Sequence, residues 1–225
     1  MRKVHEDVWV VDRPFRLMGL GLGVRMTVVR LSSGGLVLHS PVGYEAGLQE
    51  WLDSLGEVCA IIAPNCEHNL FLAEWIRAYP RAVYYHPAGM VPIKGFPVQE
   101  EILDDAVAEA WRGELEQHVM RGLPRLNEVV FYHKKSRALI VTDLVFNITR
   151  SASLLEKLLL RLNGAYHHFG PTRLFKTFFM KDKAAFGASI KRLLEWDFER
   201  IILSHGEIVE QDGKEKFRRA FDWLL

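Results

Sequence analysis

Three apolar segments of this chain end abruptly in residues that bind metals or move protons. The run IIAPNCEH closes on His68, LIVTD closes on Asp143, and IILSHG carries His205. Imidazole nitrogen and carboxylate oxygen are donors that zinc, iron and manganese take from proteins. Three such donors with one coordination position left open turn a bound ion into a Lewis acid that activates water. Glu67, next to His68, is a carboxylate suited to general-base work, and His68 fills that role where it is not a ligand. Asn65 and Cys66 share the same loop and are candidates for contact with a substrate, as is His39 at the end of LVLHS. Each residue also has a plain structural use: a His after a strand often hydrogen-bonds backbone, and an Asp there often caps a turn or helix. The shared position sets these three apart, because ligands of open α/β sheets collect beyond the carboxyl ends of strands.

The elements that must position these residues are legible from pattern. Val58 to Pro64 is a short continuous apolar run, the mark of a buried strand. Val8 to Asp12 and Arg25 to Leu31 are β-branched strands. The second forms a hairpin with Leu36 to Ser40 through Ser32-Ser33-Gly34-Gly35, and stops at Pro41. Leu48, Leu52 and Leu55 have helical spacing, and Gly56 closes that helix. A helix over 69–79, stopped by Pro80, leads to a strand over 82–87. Residues 89–122, with several prolines and an acidic stretch, read as loop with short elements.

Further on, NEVVFYH and RALIVTD form a hairpin turning at Lys134-Lys135-Ser136. Paired residue numbers then sum to about 270, a register that sets Glu128 or Asn127 opposite Asp143. Glu128 is accordingly a fourth candidate metal ligand. His133 pairs near Arg137, about 20 Å from Asp143 at strand rise, and falls outside the site. Leu154, Leu155, Leu158, Leu159 and Leu162 form the apolar stripe of an amphipathic helix. Tyr166 to Lys183 interleaves Phe169, Phe175, Phe178 and Phe179 with Arg173, Lys176 and Lys181. We read it as core-facing aromatics with a solvated basic edge; a membrane- or partner-binding segment and a lid over the site are the alternatives. A helix over 184–196, a strand over 200–206 and a helix over 214–225 complete the chain.

This order of elements resembles the metallo-β-lactamase-like superfamily. VTDLVF is similar to the superfamily's strand-end Asp that bridges two metals, SHG to its last metal His, and LHSPV to its early Asp-x-Gly turn. The stretches RMTVVRL…LVLHSPV, IIAPNCEHNLFLAEW, EVVFYHKKSRALIVTDLVFN and DFERIILSHGEIV look like a divergent branch of uncharacterised function. The resemblance implies a four-layer αββα sandwich, two mixed sheets flanked by helices, built as one domain over residues 1–225. The superfamily's His-x-His-x-Asp-His signature is not intact. An ungapped reading sets Pro64, Cys66, His68 and Asn69 against its four ligands, and a shift by one sets Asn65, Glu67 and Asn69 against its first His, second His and Asp. The further His before the second hairpin is absent from RGLPRLNE. What the resemblance then implies is a degenerate, at most mononuclear site drawn from His68, Asp143, His205 and Glu128. It would hold one divalent metal (zinc, iron or manganese) or none, and act on a small-molecule ester, thioester or phosphodiester. The competing reading is a non-catalytic member of the fold that binds a small ligand, a protein partner or a membrane surface.

Composition narrows the field. The 225 residues carry a net charge of +1, with 49% hydrophobic and 25% charged residues. That balance argues for one globular domain and against both disorder and a strongly basic nucleic-acid binder. Two cysteines, Cys59 and Cys66, are too few for a disulfide framework and fit a reducing compartment. No charged-then-apolar leader opens the sequence, and LLEKLLLRL is too short to span a bilayer, so a cytoplasmic location is expected. Gly19, Gly21 and Gly23 precede a strand instead of a helix, which marks a strand connection and not a dinucleotide loop. His167 and His168 read as solvated loop residues.

Overall fold

The computed structural model describes residues 1–91, 93 and 99–225. In chain order the strands are β1 (Arg2–His5), β2 (Val8–Arg13), β3 (Arg16–Leu17), β4 (Leu20–Gly21), β5 (Val24–Arg30), β6 (Leu36–His39), β7 (Val58–Ile62), β8 (Val83–Pro87), β9 (Glu100–Leu103), β10 (Leu115–Val119), β11 (Val129–His133), β12 (Ala138–Ile140) and β13 (Arg200–Ile202). The α-helices are α1 (Ala46–Leu55), α2 (Leu72–Ala78), α3 (Leu154–Leu162), α4 (Lys183–Leu193) and α5 (Gly213–Ala220). A first sheet has the order β1-β2-β5-β6-β7-β8-β9 and a second the order β10-β11-β12-β13. Both are mixed: β6, β7, β8 and β9 run parallel, and so do β12 and β13, while the other neighbours are antiparallel.

Strand alternation sorts side chains into layers. In the first sheet Trp9, Val11, Met26, Val28 and Leu38 point outward and pack under Leu48 and Leu52 of α1 and Trp75 and Ile76 of α2. Their neighbours Val8, Val10, Val29, Val37, Ala60 and Ile62 point inward and meet Val129, Phe131, Ala138, Ile140 and Ile202 of the second sheet. The far face of that sheet, with Val130, Tyr132, Leu139 and Ile201, is covered by Phe186, Ile190 and Leu193 of α4 and by Phe217 and Phe221 near α5. The result is helix, sheet, sheet, helix: the four-layer αββα sandwich. Arg25 links the two sheets. Its Nε donates to Asp12 Oδ1 at 2.6 Å, and one terminal nitrogen donates to the Leu203 carbonyl at 2.6 Å.

Several elements depart from the pattern reading. Part of the stretch expected as loop is ordered into β9 and β10, which edge the two sheets; residues 92 and 94–98 of it lie outside the described residues. The N-terminal strand β1 had no alternation to reveal it. The greatest departure is α3. Its buried residues are Glu156 and Leu160, whereas Leu154, Leu155, Leu158, Leu159 and Leu162 are all exposed. Periodicity reports that a helix has two faces; it does not say which one the protein covers. Among the described residues no helix is long and apolar enough to cross a membrane.

Candidate metal centre

The carboxyl ends of the two parallel pairs, β6/β7 in one sheet and β12/β13 in the other, come together. Three side chains meet there. His68 Nε2 lies 3.3 Å from Asp143 Oδ2, and His205 Nε2 lies 3.2 Å from Asp143 Oδ1. One donor atom from each of the three falls within 4.8 Å of the others. Ligands at roughly 2.1 Å around a tetrahedral ion stand about 3.4 Å apart, so this set needs little adjustment to close on one.

Each member is held from behind. His205 Nδ1 is 2.7 Å from the carbonyl oxygen of Gly23. A carbonyl can only accept, so Nδ1 carries a proton and Nε2 is the nitrogen that faces Asp143. The ring is also stacked on Phe146, with centroids 4.9 Å apart. His68 Nδ1 is 2.7 Å from Ser40 Oγ. Ser40 has φ 54, a left-handed backbone at the residue just before Pro41, and follows directly on β6. A ring nitrogen 3.2 Å from a carboxylate oxygen is held there by a shared proton or by a cation bound to both, and two imidazoles with one carboxylate are donors of the kind a divalent ion takes. The donor set therefore fits a divalent ion. Burial alone would raise the Asp143 carboxyl, but the two imidazoles outweigh it and hold it well below the usual carboxylate range.

Asn65 and Glu128 reach the same place in other roles than expected. Fully buried, Asn65 donates through Nδ2 to Thr142 Oγ1 at 2.9 Å and to Asp143 Oδ2 at 2.8 Å. Its Oδ1 accepts the backbone N–H groups of Glu67 and His68, both at 2.9 Å. It braces the loop and the carboxylate and does not line the cavity, so it is not placed to touch a substrate. Glu128 faces Asp143 as the hairpin register requires, since Phe131 pairs with Ile140 and the sum is 271. Both its oxygens accept backbone N–H groups, from Thr142 at 2.7 Å and Asp143 at 3.1 Å. It clamps the backbone and lies outside the three-donor group. Burial and the neighbouring Asp143 charge push its carboxyl upward.

Other candidates lie elsewhere. His39 is sealed between the sheets with its ring edge-on to Phe131 at 5.4 Å, and is not exposed to the cavity. Burial first, and the nearby His68 second, drive its imidazole down to about 3, so it is neutral. Its Nε2 is buried with no hydrogen-bond partner among the described residues. Cys66 points toward the Ala88 carbonyl, away from the cavity, and burial raises its thiol. His133 sits at the far end of β11, bonded to Ser136 Oγ at 2.7 Å. Glu67 does line the cavity beside His68. Counting the superfamily signature back from His68 as its last residue gives Ala63, Asn65 and Glu67. This register matches His with His and acid with acid, and stands beside the two that the sequence suggested. Ser40 and Gly23 carry no sequence signal, because one acts through a common hydroxyl and the other through a carbonyl.

Above the three donors opens a cavity of about 270 Å³ with largely apolar walls, among them Leu20, Leu22, Phe71, Phe146, Phe175 and Phe179. The connection through Gly19 and Gly21 is the β3–β4 hairpin, which forms part of this wall.

Two back-to-back mixed sheets flanked by helices, with a His–Asp–His cluster at the parallel strand ends, define a metallo-β-lactamase-like fold. Solved structures share it across nearly the whole chain. A metallo-β-lactamase from Pontibacter korlensis has a TM-score of 0.63 at 17% identity, covering 98% of this chain and 97% of its own. The mono-zinc form of FIM-1 from Pseudomonas aeruginosa gives 0.67 at 13% identity, covering 99% and 93%. A metallo-β-lactamase from Erythrobacter litoralis gives 0.62 at 14% identity, covering 99% and 90%. No curated protein matches in sequence. Residues 5–168 match the family described as Domain of unknown function (DUF4336), and the chain belongs to that family.

Proposed function

We propose that the protein holds one divalent metal ion on His68, Asp143 and His205 and hydrolyses a small ester, thioester or phosphodiester. The observation that carries this reading is the convergence of three donors, two of them imidazoles whose second ring nitrogens are already committed, to Ser40 and to Gly23. Such outer partners fix the tautomer and aim of a ligating imidazole. A bound ion would supply Lewis acidity and lower the pKa of a coordinated water. The chain supplies the rest. Asn65 fixes the Asp143 carboxylate and Glu128 its backbone, Glu67 stands at the cavity as proton acceptor, and the apolar walls keep bulk water from the reacting bond.

One observation favours a second reading. A proton shared between His205 Nε2 and Asp143 would satisfy the same geometry without an ion, which leaves a non-catalytic, ligand-binding member of the fold. Metal analysis of protein purified without a nickel column separates the two. The first reading expects near-stoichiometric zinc, iron or manganese, lost in His205→Ala. It also expects chelator to lower the wild-type Tm. An ion present at about 100 times its Kd contributes about 2.7 kcal/mol, or about 5–10 °C in a chain of this size. Metal-free protein with a chelator-indifferent Tm would return the second reading.

A further inference from the structure

The α3 helix is mounted with its apolar face outward. At about 100° per residue, Leu154, Leu155, Leu158, Leu159 and Leu162 span one side, opposite the buried Glu156 and Leu160. Leu155 is 67% exposed and Leu154 83%. The stripe does not stand alone. Asn163, next to Leu162, accepts the N–H of Arg173 through its carbonyl at 2.8 Å and the N–H of Leu174 through Oδ1 at 3.0 Å. The end of α3 is thereby joined to the π-helical turn Phe175–Phe179, where Leu174 and Phe178 are also exposed. Leu174 lines the mouth of the cavity together with Leu17, Met18 and Leu70, all exposed and Met18 96% so. Helix face and cavity rim thus belong to neighbouring segments joined through Asn163.

The charge of this region is equally one-sided. Residues 150–181 hold six basic residues, Arg150, Lys157, Arg161, Arg173, Lys176 and Lys181, against the single acidic Glu156. Glu156 is turned inward and hydrogen-bonded to Ser151, Ala152 and Gly21. The chain as a whole carries only +1, so this segment is the positive pole of a molecule otherwise slightly negative. An apolar helix face flanked by lysine and arginine is the form that beds into an anionic lipid surface. A self-association face has no need of that one-signed charge.

We infer that α3, Leu174, Phe178 and the cavity rim dock this protein on an anionic lipid bilayer. Docked so, the mouth of the cavity faces the lipid, and a bilayer amphiphile could lay its hydrocarbon against the apolar walls with its ester toward His68 and His205. That last step rests on the hydrolytic reading; the docking does not, and vesicle binding tests it without turnover.

The experiment is cosedimentation of the full chain with phosphatidylcholine vesicles and with mixed phosphatidylcholine–phosphatidylglycerol vesicles. The mixed vesicles should bind it, and pure phosphatidylcholine should bind it more weakly. Leu155→Ser/Leu158→Ser/Leu159→Ser should weaken binding by at least about tenfold, through lost apolar insertion. Lys157→Glu/Arg161→Glu should abolish the preference for the anionic vesicles. All five positions lie outside the buried core, and an unchanged melting curve confirms that each variant is folded. Failure of the wild type to bind either vesicle overturns the inference, as does unaltered binding by the leucine variant. A stable dimer that the leucine changes convert to monomer, with no vesicle binding, would assign the face to a second copy instead.

Discussion

Replacing Gly206 with alanine tests whether the last histidine is positioned by backbone packing. Gly206 has φ +108, and a Cβ placed on it would stand 2.1 Å from the Asn147 carbonyl oxygen, 2.3 Å from its carbon and 2.8 Å from Ile148 N. None of these atoms is the end of a flexible side chain, so the two segments must part. Parting them strains the hydrogen bonds from Asn147 N to His205 O at 3.0 Å and from Glu207 N to Asn147 O at 2.8 Å. Two backbone bonds are worth about 1 kcal/mol each, and the left-handed conformation costs a β-carbon about 1–2 kcal/mol. The sum is about 3–4 kcal/mol, which for a chain of this length lowers Tm by roughly 6–16 °C. Gly113 supplies the control: it has φ +89 but nothing within 4 Å of the place a Cβ would take, so alanine there should cost only about 1–2 kcal/mol. Urea denaturation of both variants gives the comparison, and metal content read alongside should fall only in Gly206→Ala. Equal destabilisation of the two would refute the close-approach argument, and a Gly206→Ala protein with wild-type Tm would refute the whole of it.

Two further perturbations probe the supports. Arg25→Met deletes the guanidinium between Asp12 and the Leu203 carbonyl; losing buried bonds to a charged group should cost about 2–3 kcal/mol in urea unfolding, and no measurable change would mean that the sheets do not depend on it. Glu156 is held down to about 2 by the N–H of Gly21, the Ser151 hydroxyl and the N–H of Ala152. Its folded pKa is depressed, so its contribution is complete above the unfolded value near 4.5 and drains away as pH falls through about 2. Glu156→Gln should flatten the loss of thermal stability across that window and speed hydrogen exchange in α3; a pH profile parallel to wild type would contradict the assignment.

Much of the architecture could be read before any coordinates, because alternation and turn chemistry are local. The strand ends bearing His68, Asp143 and His205, and the pairing of Glu128 with Asp143, follow from such rules. The role of Glu128 does not. A carboxylate that accepts two backbone N–H groups has the same sequence signature as one that binds an ion, and only burial separates them. Gly23 contributes a carbonyl, which every residue possesses, so no residue type could have marked it. The α3 stripe misled for a related reason. Amphipathicity is a property of the helix alone, whereas the face that is covered depends on what the rest of the chain offers. Here the interior offers Glu156 three hydrogen-bond donors, and the leucines are left outside.

The polar groups beside Asp143 in the proposed site are committed largely to the protein itself. Asn65 uses both amide hydrogens, on Thr142 and Asp143, and its oxygen takes the N–H groups of Glu67 and His68. Nothing on that side chain remains for a cation. Each oxygen of Glu128 accepts one backbone N–H group, from Thr142 and Asp143. A second ion beside Asp143 would have to displace one of these braces and leave buried donors unpaired, at about 1–3 kcal/mol for each. The same braces confine the Asp143 carboxylate between two imidazoles. In the proposed single-ion site these polar groups serve to hold the Asp143 segment in place.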